Sequence, residues 1–190
     1  DKSGCLILSS MNGHLDCIKW LLDNGSSIDE SSKDGFTPFL AAARMGNIEC
    51  MKLLLSYGSS ISEKQNQGIT AIQYAALGGH FEAVKWLVEI GCSIWDKNNQ
   101  GDTVAMFAAS GGNSELLKWL MDKGCSITER NDGGDSCILF ASCRSQFKVI
   151  EFLLDEGIPI DDTNNDNCNC LMNTARVGHF KMMKWLFEQG

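Results

Sequence analysis

Pairs of apolar residues recur along this chain at a constant step of 33 residues. The pairs are Leu21-Leu22, Leu54-Leu55, Leu87-Val88, Leu120-Met121, Leu153-Leu154 and Leu186-Phe187. In the segment that ends with the second pair, Ile48, Met51 and Leu54 are spaced so that they fall on one face of a helix. A polar stretch follows each such segment. The pattern predicts an all-α protein built from one repeated unit.

Glycine keeps the same step, in two columns of the repeat. The first column is Gly25, Gly58, Gly91, Gly124, Gly157 and Gly190; the second is Gly13, Gly46, Gly79, Gly112 and Gly178, interrupted by Ser145. Five further matches after the first have a chance on the order of 10⁻⁵ at this glycine content. Each period therefore predicts two short helices, such as 37–45 and 48–57, each ended by a glycine and followed by a loop. We expect Ser145 to adopt a positive φ that disfavours serine.

One segment of the repeat resembles a known family. Residues 34–46 read Asp-Gly-Phe-Thr-Pro-Phe-Leu-Ala-Ala-Ala-Arg-Met-Gly, which is similar to the D-G-x-T-P-L-H-x-A-A-x-x-G pattern of the ankyrin repeat. The resemblance covers the chain as a single array, 1–190, with repeats at about 1–33, 34–66, 67–99, 100–132, 133–165 and 166–190. It implies an all-α solenoid of stacked helix-turn-helix units with hairpin loops.

The sequence departs from that pattern at the histidine. The five equivalent positions hold Leu40, Gln73, Met106, Leu139 and Met172. In ankyrin repeats this histidine makes hydrogen bonds between neighbouring repeats, so the substitution leaves open whether such bonds form here. The last repeat also lacks a polar cap, and we expect it to fray.

Charge and cysteine content restrict the classes of partner and the cellular compartment that we expect for this chain. The 190 residues carry a formal charge of -8, which argues against nucleic acid as a partner. No segment resembles a signal peptide, and the apolar stretches fall short of the roughly 20 residues of a membrane span. Nine cysteines without a CxxC pair favour a reducing, cytoplasmic location. Because the chain starts at Asp1 and stops at a repeat boundary, we expect a monomeric piece of a longer, soluble protein.

The residue types that carry chemistry follow the repeat. His14, His80 and His179 share a turn column with Asn47, Asn113 and Gln146, which is typical of a polar turn rather than a metal site. Seven cysteines are predicted to fill the core, and Cys143 and Cys168 to be exposed. Cys168 and Cys170 leave a structural zinc site as an alternative. We predict no catalytic residue, no metal and no cofactor.

The resemblance implies a protein-interaction module or scaffold that binds a partner segment on its concave hairpin and inner-helix face. The alternative is a targeting or regulatory segment of a larger kinase, acyltransferase or cation channel. The predicted partner-binding residues are Phe36, Arg44, Met45, Ile69, Leu77, Trp95, Asp102, Asp132, Asp135 and Arg144. Hydrophobic anchors would contact the first part of this surface, and basic residues the acidic part.

Two alternatives stay open at this surface. Trp95 stands in a column otherwise held by Asp29, Ser62, Thr128 and Asp161, so it either contacts a partner or covers a neighbouring hairpin. Phe36 and Ile69 either bind a partner or pack between hairpins. The other tryptophans, Trp20, Trp86, Trp119 and Trp185, share one column and are predicted to pack between second helices.

Overall fold

The computed structural model describes residues 4–189, which form twelve helices in six consecutive pairs. The pairs are α1 (Cys5–Met11) and α2 (Leu15–Asp23), α3 (Pro38–Arg44) and α4 (Ile48–Ser56), α5 (Ala71–Leu77) and α6 (Phe81–Glu89), α7 (Val104–Gly111) and α8 (Ser114–Asp122), α9 (Cys137–Cys143) and α10 (Phe147–Asp155), and α11 (Cys170–Arg176) and α12 (Phe180–Gln189). The predicted all-α fold class, with helix pairs joined by hairpin loops, is confirmed.

The chain divides into two compact units, Asp1–Asn99 and Gln100–Gly190, each containing three helix pairs. In the N-terminal unit, α1 packs on α3 and α3 on α5; in the C-terminal unit, α7 packs on α9 and α9 on α11. The apolar faces between these helices form the cores. Phe39, Leu40 and Ala41, for example, have no exposed surface. The division falls at the predicted boundary between repeats 3 and 4.

The first helices of repeats 2 to 6 each begin after a short polar residue, and all six first helices are followed by a residue with a positive φ. Thr37 accepts a hydrogen bond from the backbone N–H of Leu40 at 3.3 Å, and Pro38 occupies the first turn of α3. Gly46 ends the turn after α3 with a φ of 68°. Ser145 replaces glycine at the equivalent position and has a φ of 53°, which confirms the predicted strain in repeat 5.

Two residues of the polar turn column tie a helix pair to the pair before it within the same compact unit. The side-chain amide of Asn47 donates to the carbonyl oxygens of Ser10 and Met11 at 3.1 and 3.0 Å. In the C-terminal unit, the amide of Gln146 donates to the carbonyl oxygen of Ser110 at 2.9 Å. Because these carbonyls lie at the end of a first helix, the bonds satisfy groups that the helix leaves unpaired. The column has the structural role expected from its polar residues.

The hairpin loops are bonded to one another by the same kind of contact. Asn66 donates its backbone N–H to the carbonyl oxygen of Asp34 at 2.9 Å and its side-chain amide to that of Lys33 at 3.1 Å. Asn165 makes the equivalent two bonds to the hairpin that contains Asp132. The backbone of successive hairpins is therefore fixed within each unit, which sets the spacing of the side chains that they present.

Two predictions about packing are wrong for the first helix pair. Cys5 and Cys17 are exposed rather than buried, and Trp20 is 60% exposed. The same columns are covered elsewhere: Cys50, Cys137 and Cys170 are buried, and the rings of Phe147 and Trp185 lie 5.3 Å apart between α10 and α12. The difference arises because these columns face the preceding helix pair, and α1 and α2 form the first pair. Cys143 and Cys168, predicted to be exposed, are half-buried.

Candidate functional site

The candidate site is the hairpin face, which we define as the surface formed by the hairpin loops and the C-terminal ends of the first helices. In the N-terminal unit it begins with Phe36. The ring of Phe36 meets the ring of Tyr74 edge to face, with centroids 5.0 Å apart and planes at 70°. Phe36 is half-buried by this contact. Phe36 therefore packs against a first helix rather than between hairpins, and part of its surface stays accessible.

Arg44 and Met45 are more accessible than Phe36. Both are exposed at the C-terminal end of α3, and 45% of the Met45 surface is open. Burial raises the pKa of the Tyr74 hydroxyl, and the charge of Arg44 together with a hydrogen bond from Gln65 opposes that rise. Arg44 therefore adds an exposed positive charge to this part of the hairpin face.

The next repeat presents apolar side chains in the same columns. Ile69 is equivalent to Phe36 and Leu77 to Arg44, and both are half-buried. Trp95 lies in the following loop with 58% of its surface exposed, and its backbone N–H donates to the Ser93 hydroxyl at 3.1 Å. Trp95 thus leaves more than half of its surface open on the hairpin face.

The acidic residues predicted in the C-terminal unit differ in accessibility. Asp102 is only 5% exposed and accepts a hydrogen bond from the Asn131 amide at 2.6 Å. Asp135 is half-buried and accepts the equivalent bond from Asn164 at 2.8 Å. Asp132 is exposed. Asp102 therefore joins adjacent hairpins and is too deeply buried to act as the exposed anionic contact that the sequence suggested.

A further part of the predicted acidity is internal to the fold. One loop column holds an acid in five repeats: Glu30, Glu63, Asp96, Glu129 and Asp162. The carboxylate of Glu63 accepts a hydrogen bond from the hydroxyl of Thr37, which caps α3 in the same repeat. The carboxylate of Asp162 accepts a hydrogen bond from the Ser136 hydroxyl and forms a salt bridge with Arg130. These carboxylates stabilise the array, so the acidity open to a partner is smaller than the composition indicates.

The hairpin face of the C-terminal unit contains a cavity of about 320 Å³. It is lined by Ser110, Asp135, Leu139, Phe140, Cys143, Asn164, Asp166, Cys168, Asn173 and Arg176. Arg176 donates to the side-chain oxygen of Asn173 at 3.2 Å and to the Cys143 sulfur at 3.6 Å. Burial raises the pKa of the Cys143 thiol, and Arg176 opposes that rise. Arg144 is exposed at the end of α9, directly after Cys143.

Asp166 and Arg176 were absent from the predicted binding residues. The repeat carried a signal for Arg176, which occupies the column of Arg44, but none for Asp166, whose column holds Gly133 in the preceding hairpin. The two residues give the cavity charges of both signs above an apolar floor of Leu139 and Phe140.

Between residues 4 and 189, no cluster of three or more histidine, cysteine or acidic side chains is arranged to hold a metal ion. Cys170, one of the two thiols considered for zinc, is buried, with its sulfur 3.7 Å from the carbonyl oxygen of Ile138. None of the helices in the same range has the length and apolar character needed to cross a membrane.

The chain matches a family model described as ankyrin repeats (3 copies). The three matches cover residues 6–98, 62–131 and 105–190, so nearly every residue falls within one of them. No individual curated protein matches the chain.

Proposed function

This chain belongs to the ankyrin-repeat family, and we propose that it is an interaction module or scaffold that binds a segment of a partner protein through its hairpin face. Ankyrin repeats generally mediate protein–protein interaction, and the fold is typically non-catalytic. The observation that carries the proposal is the exposure of Met45 and Trp95 on this face, at 45% and 58%. Hydrogen bonds between hairpins hold the backbone beneath such residues in place.

In the N-terminal unit the face suits hydrophobic anchors. Met45 and Trp95 offer large accessible surfaces, while Phe36, Ile69 and Leu77 are half-buried and add apolar edges. Buried aromatic and aliphatic anchors usually dominate the affinity of a protein interface. Because the hairpins are already ordered, a partner loses little free energy to ordering this surface when it binds.

In the C-terminal unit the face suits polar and charged partner groups. Asp132 is exposed, and Asp135 and Asp166 line the 320 Å³ cavity. Arg144 and Arg176 add positive charge beside them. We propose that basic residues of the partner lie near Asp132, Asp135 and Asp166. Charges of this kind mainly set the association rate and the salt dependence of binding.

A site-specific cross-linking experiment tests the proposal. The photo-reactive amino acid benzoylphenylalanine is placed at Met45 on the hairpin face or, in a matched variant, at Lys52 on α4. Lys52 has a half-exposed side chain and belongs to the same repeat. After irradiation in cells, a distinct cross-linked protein from position 45 and none from position 52 is the expected result. Cross-links from position 52 alone would place the interaction on the second helices and contradict the proposal.

A further inference from the structure

Small side chains create the cavity of about 320 Å³ on the hairpin face of the C-terminal unit. Asn173 lines it in a column whose members in the three preceding repeats are aromatic. Ser110 and Cys143 line it in a column that holds arginine and leucine in repeats 2 and 3. Ligand pockets ordinarily measure about 300 to 1,000 Å³, so this cavity suits one side chain of a partner rather than a larger ligand.

One wall of the cavity presents a carboxylate that the fold already orients. Asp135 is half-buried, and its Oδ1 accepts a hydrogen bond from the side-chain amide of Asn164 at 2.8 Å. An ionised carboxylate has about four acceptor positions, so Asp135 can accept further bonds from a ligand. Asp166 lies at the exposed rim of the same cavity. These two charges favour a cationic donor, because charge-assisted hydrogen bonds are the stronger ones.

The inner part of the cavity offers a hydroxyl and an aromatic ring. Ser110 is only 6% exposed, and within residues 4–189 its hydroxyl makes no hydrogen bond. Buried hydroxyls usually have a partner, so this one is available to a ligand. Phe140 is half-buried, and its ring packs edge to face against Phe107 with centroids 6.3 Å apart. A planar guanidinium stacks on such a ring better than an ammonium group does.

Arg176 adds a positive charge to the same cavity. Its Nη2 donates to Oδ1 of Asn173 at 3.2 Å and to the Cys143 sulfur at 3.6 Å. Both contacts use one nitrogen, so the remaining N–H groups of the guanidinium can bind an anion. The cavity therefore suits a segment that carries a cation and an anion close together rather than a cation alone.

We propose that this cavity binds an arginine side chain of the partner segment, and that an acidic residue of the same segment pairs with Arg176. The partner guanidinium donates to the Asp135 carboxylate and the Ser110 hydroxyl and stacks on the Phe140 ring. The inference rests on the proposed function and deepens it, because it specifies the chemistry that the C-terminal unit recognises.

Calorimetric titration of the 190-residue chain with a short peptide tests the proposal. The probe is acetyl-Gly-Arg-Gly-Glu-Gly-amide, whose arginine and glutamate lie on the same side of an extended segment. We expect saturable binding. Citrulline in place of arginine keeps the shape but removes the charge, and should raise the dissociation constant at least about tenfold; lysine should raise it about threefold. Equal binding of the arginine and citrulline peptides, or no binding of either, would overturn the proposal.

Three variants of the chain place the binding in the cavity. Asp135→Asn keeps an acceptor for Asn164 and should weaken binding at least about tenfold. Asp155→Asn makes the same change of charge at the exposed end of α10 and should leave the dissociation constant unchanged. Cys143→Leu introduces the side chain found at the equivalent Leu77, fills the cavity and should also block binding. Equal affinities of the Asp135→Asn and Asp155→Asn proteins would overturn the proposal.

Arg176→Gln tests the second contact. In the unaltered chain, glutamine in place of the peptide glutamate should raise the dissociation constant about threefold, and in Arg176→Gln this difference should vanish. A difference that persists would overturn the pairing with Arg176. The outcome is separable from that of the proposed function, because cross-linking at position 45 reports on the N-terminal unit. A cross-link there without peptide binding rejects the arginine site alone.

Discussion

The side-chain amide of Gln73 donates a hydrogen bond to the backbone carbonyl oxygen of Asp96, 3.2 Å away in the following loop. The side-chain oxygen of Gln73 accepts the backbone N–H of Thr70 at 3.0 Å. Gln73 therefore caps its own helix and links it to the next loop. It occupies the column in which ankyrin repeats usually carry a histidine. Both bonds lie within repeat 3, residues 67–99, so they stabilise that repeat and do not replace the bonds between neighbouring repeats that the sequence left open.

Removal of this double contact should destabilise the array. Gln73→Leu keeps the volume of a residue that is 0% exposed, but it leaves the Thr70 N–H and the Asp96 carbonyl oxygen without this partner. We expect the free energy of unfolding to fall by about 1 to 3 kcal/mol. Gln73→His is the matched variant and should lose less. Urea denaturation measures both, and a Gln73→Leu protein as stable as the wild type would contradict the assigned role.

Substitution of Asp162, the most buried residue of the acidic loop column, should also destabilise the protein. Asp162 is 7% exposed and accepts from Ser136 and Arg130, whereas its neighbour Asp161 is exposed. Asp162→Ala leaves a buried hydroxyl and a guanidinium without their carboxylate and should destabilise the chain by about 1.5 to 3 kcal/mol. Asp161→Ala should change stability by less than about 0.5 kcal/mol. Equal losses in the two variants would show that the internal hydrogen bonds matter little.

Glycine at position 145, in the left-handed turn of repeat 5, should increase the stability of the protein. Ser145 has a φ of 53°, and its hydroxyl is buried without a hydrogen-bond partner among residues 4–189. Ser145→Gly removes both penalties and should stabilise the protein by about 1 kcal/mol. Gly178→Ser is the reverse change in the same column, at a φ of 75° with open space around it, and should destabilise by a similar amount. A lower melting temperature for Ser145→Gly would mean that serine supports the turn.

Thiol reactivity should divide the cysteines by burial. Burial raises the pKa of both Cys137 and Cys170 to about 12, so at pH 8 these thiols stay protonated and unreactive in the folded chain. The exposed Cys5 and Cys17 should react first with a disulfide reagent. After unfolding without reductant, the total should reach the nine cysteines of the sequence. A markedly lower total would indicate disulfides and overturn the proposed cytoplasmic location.

The helices were predictable because their signals are local and repeated. Thr37 and Pro38 start α3, a glycine ends its turn, and the 33-residue step multiplies each signal. Predicted and observed bounds agree within a residue: 37–45 against Pro38–Arg44, and 48–57 against Ile48–Ser56. The strain at Ser145 was predictable for the same reason, since its column holds glycine in the other repeats.

The accessibility of the site was harder to predict because it depends on contacts between repeats. The bond from Asn131 to Asp102 joins residues 29 positions apart, and it removes the Asp102 carboxylate from the surface. No property of the residues next to Asp102 indicates that bond. Column arguments also assume a neighbour on each side. They therefore failed for Cys5 and Cys17, whose outer side is open.

The central claim, that the hairpin face binds a partner protein, is tested most directly by the affinity for the protein cross-linked through position 45. Trp95→Ala and Ile69→Ala should each weaken binding by about 1 kcal/mol or more, while circular dichroism and the melting temperature show an intact fold. Lys52→Ala and Lys85→Ala, on the exposed sides of α4 and α6, should leave the dissociation constant unchanged. The contrary result is full affinity in both hairpin-face variants and loss of binding on substitution of Lys19, Lys52 and Lys85. That result would place the site on the second helices and contradict the account.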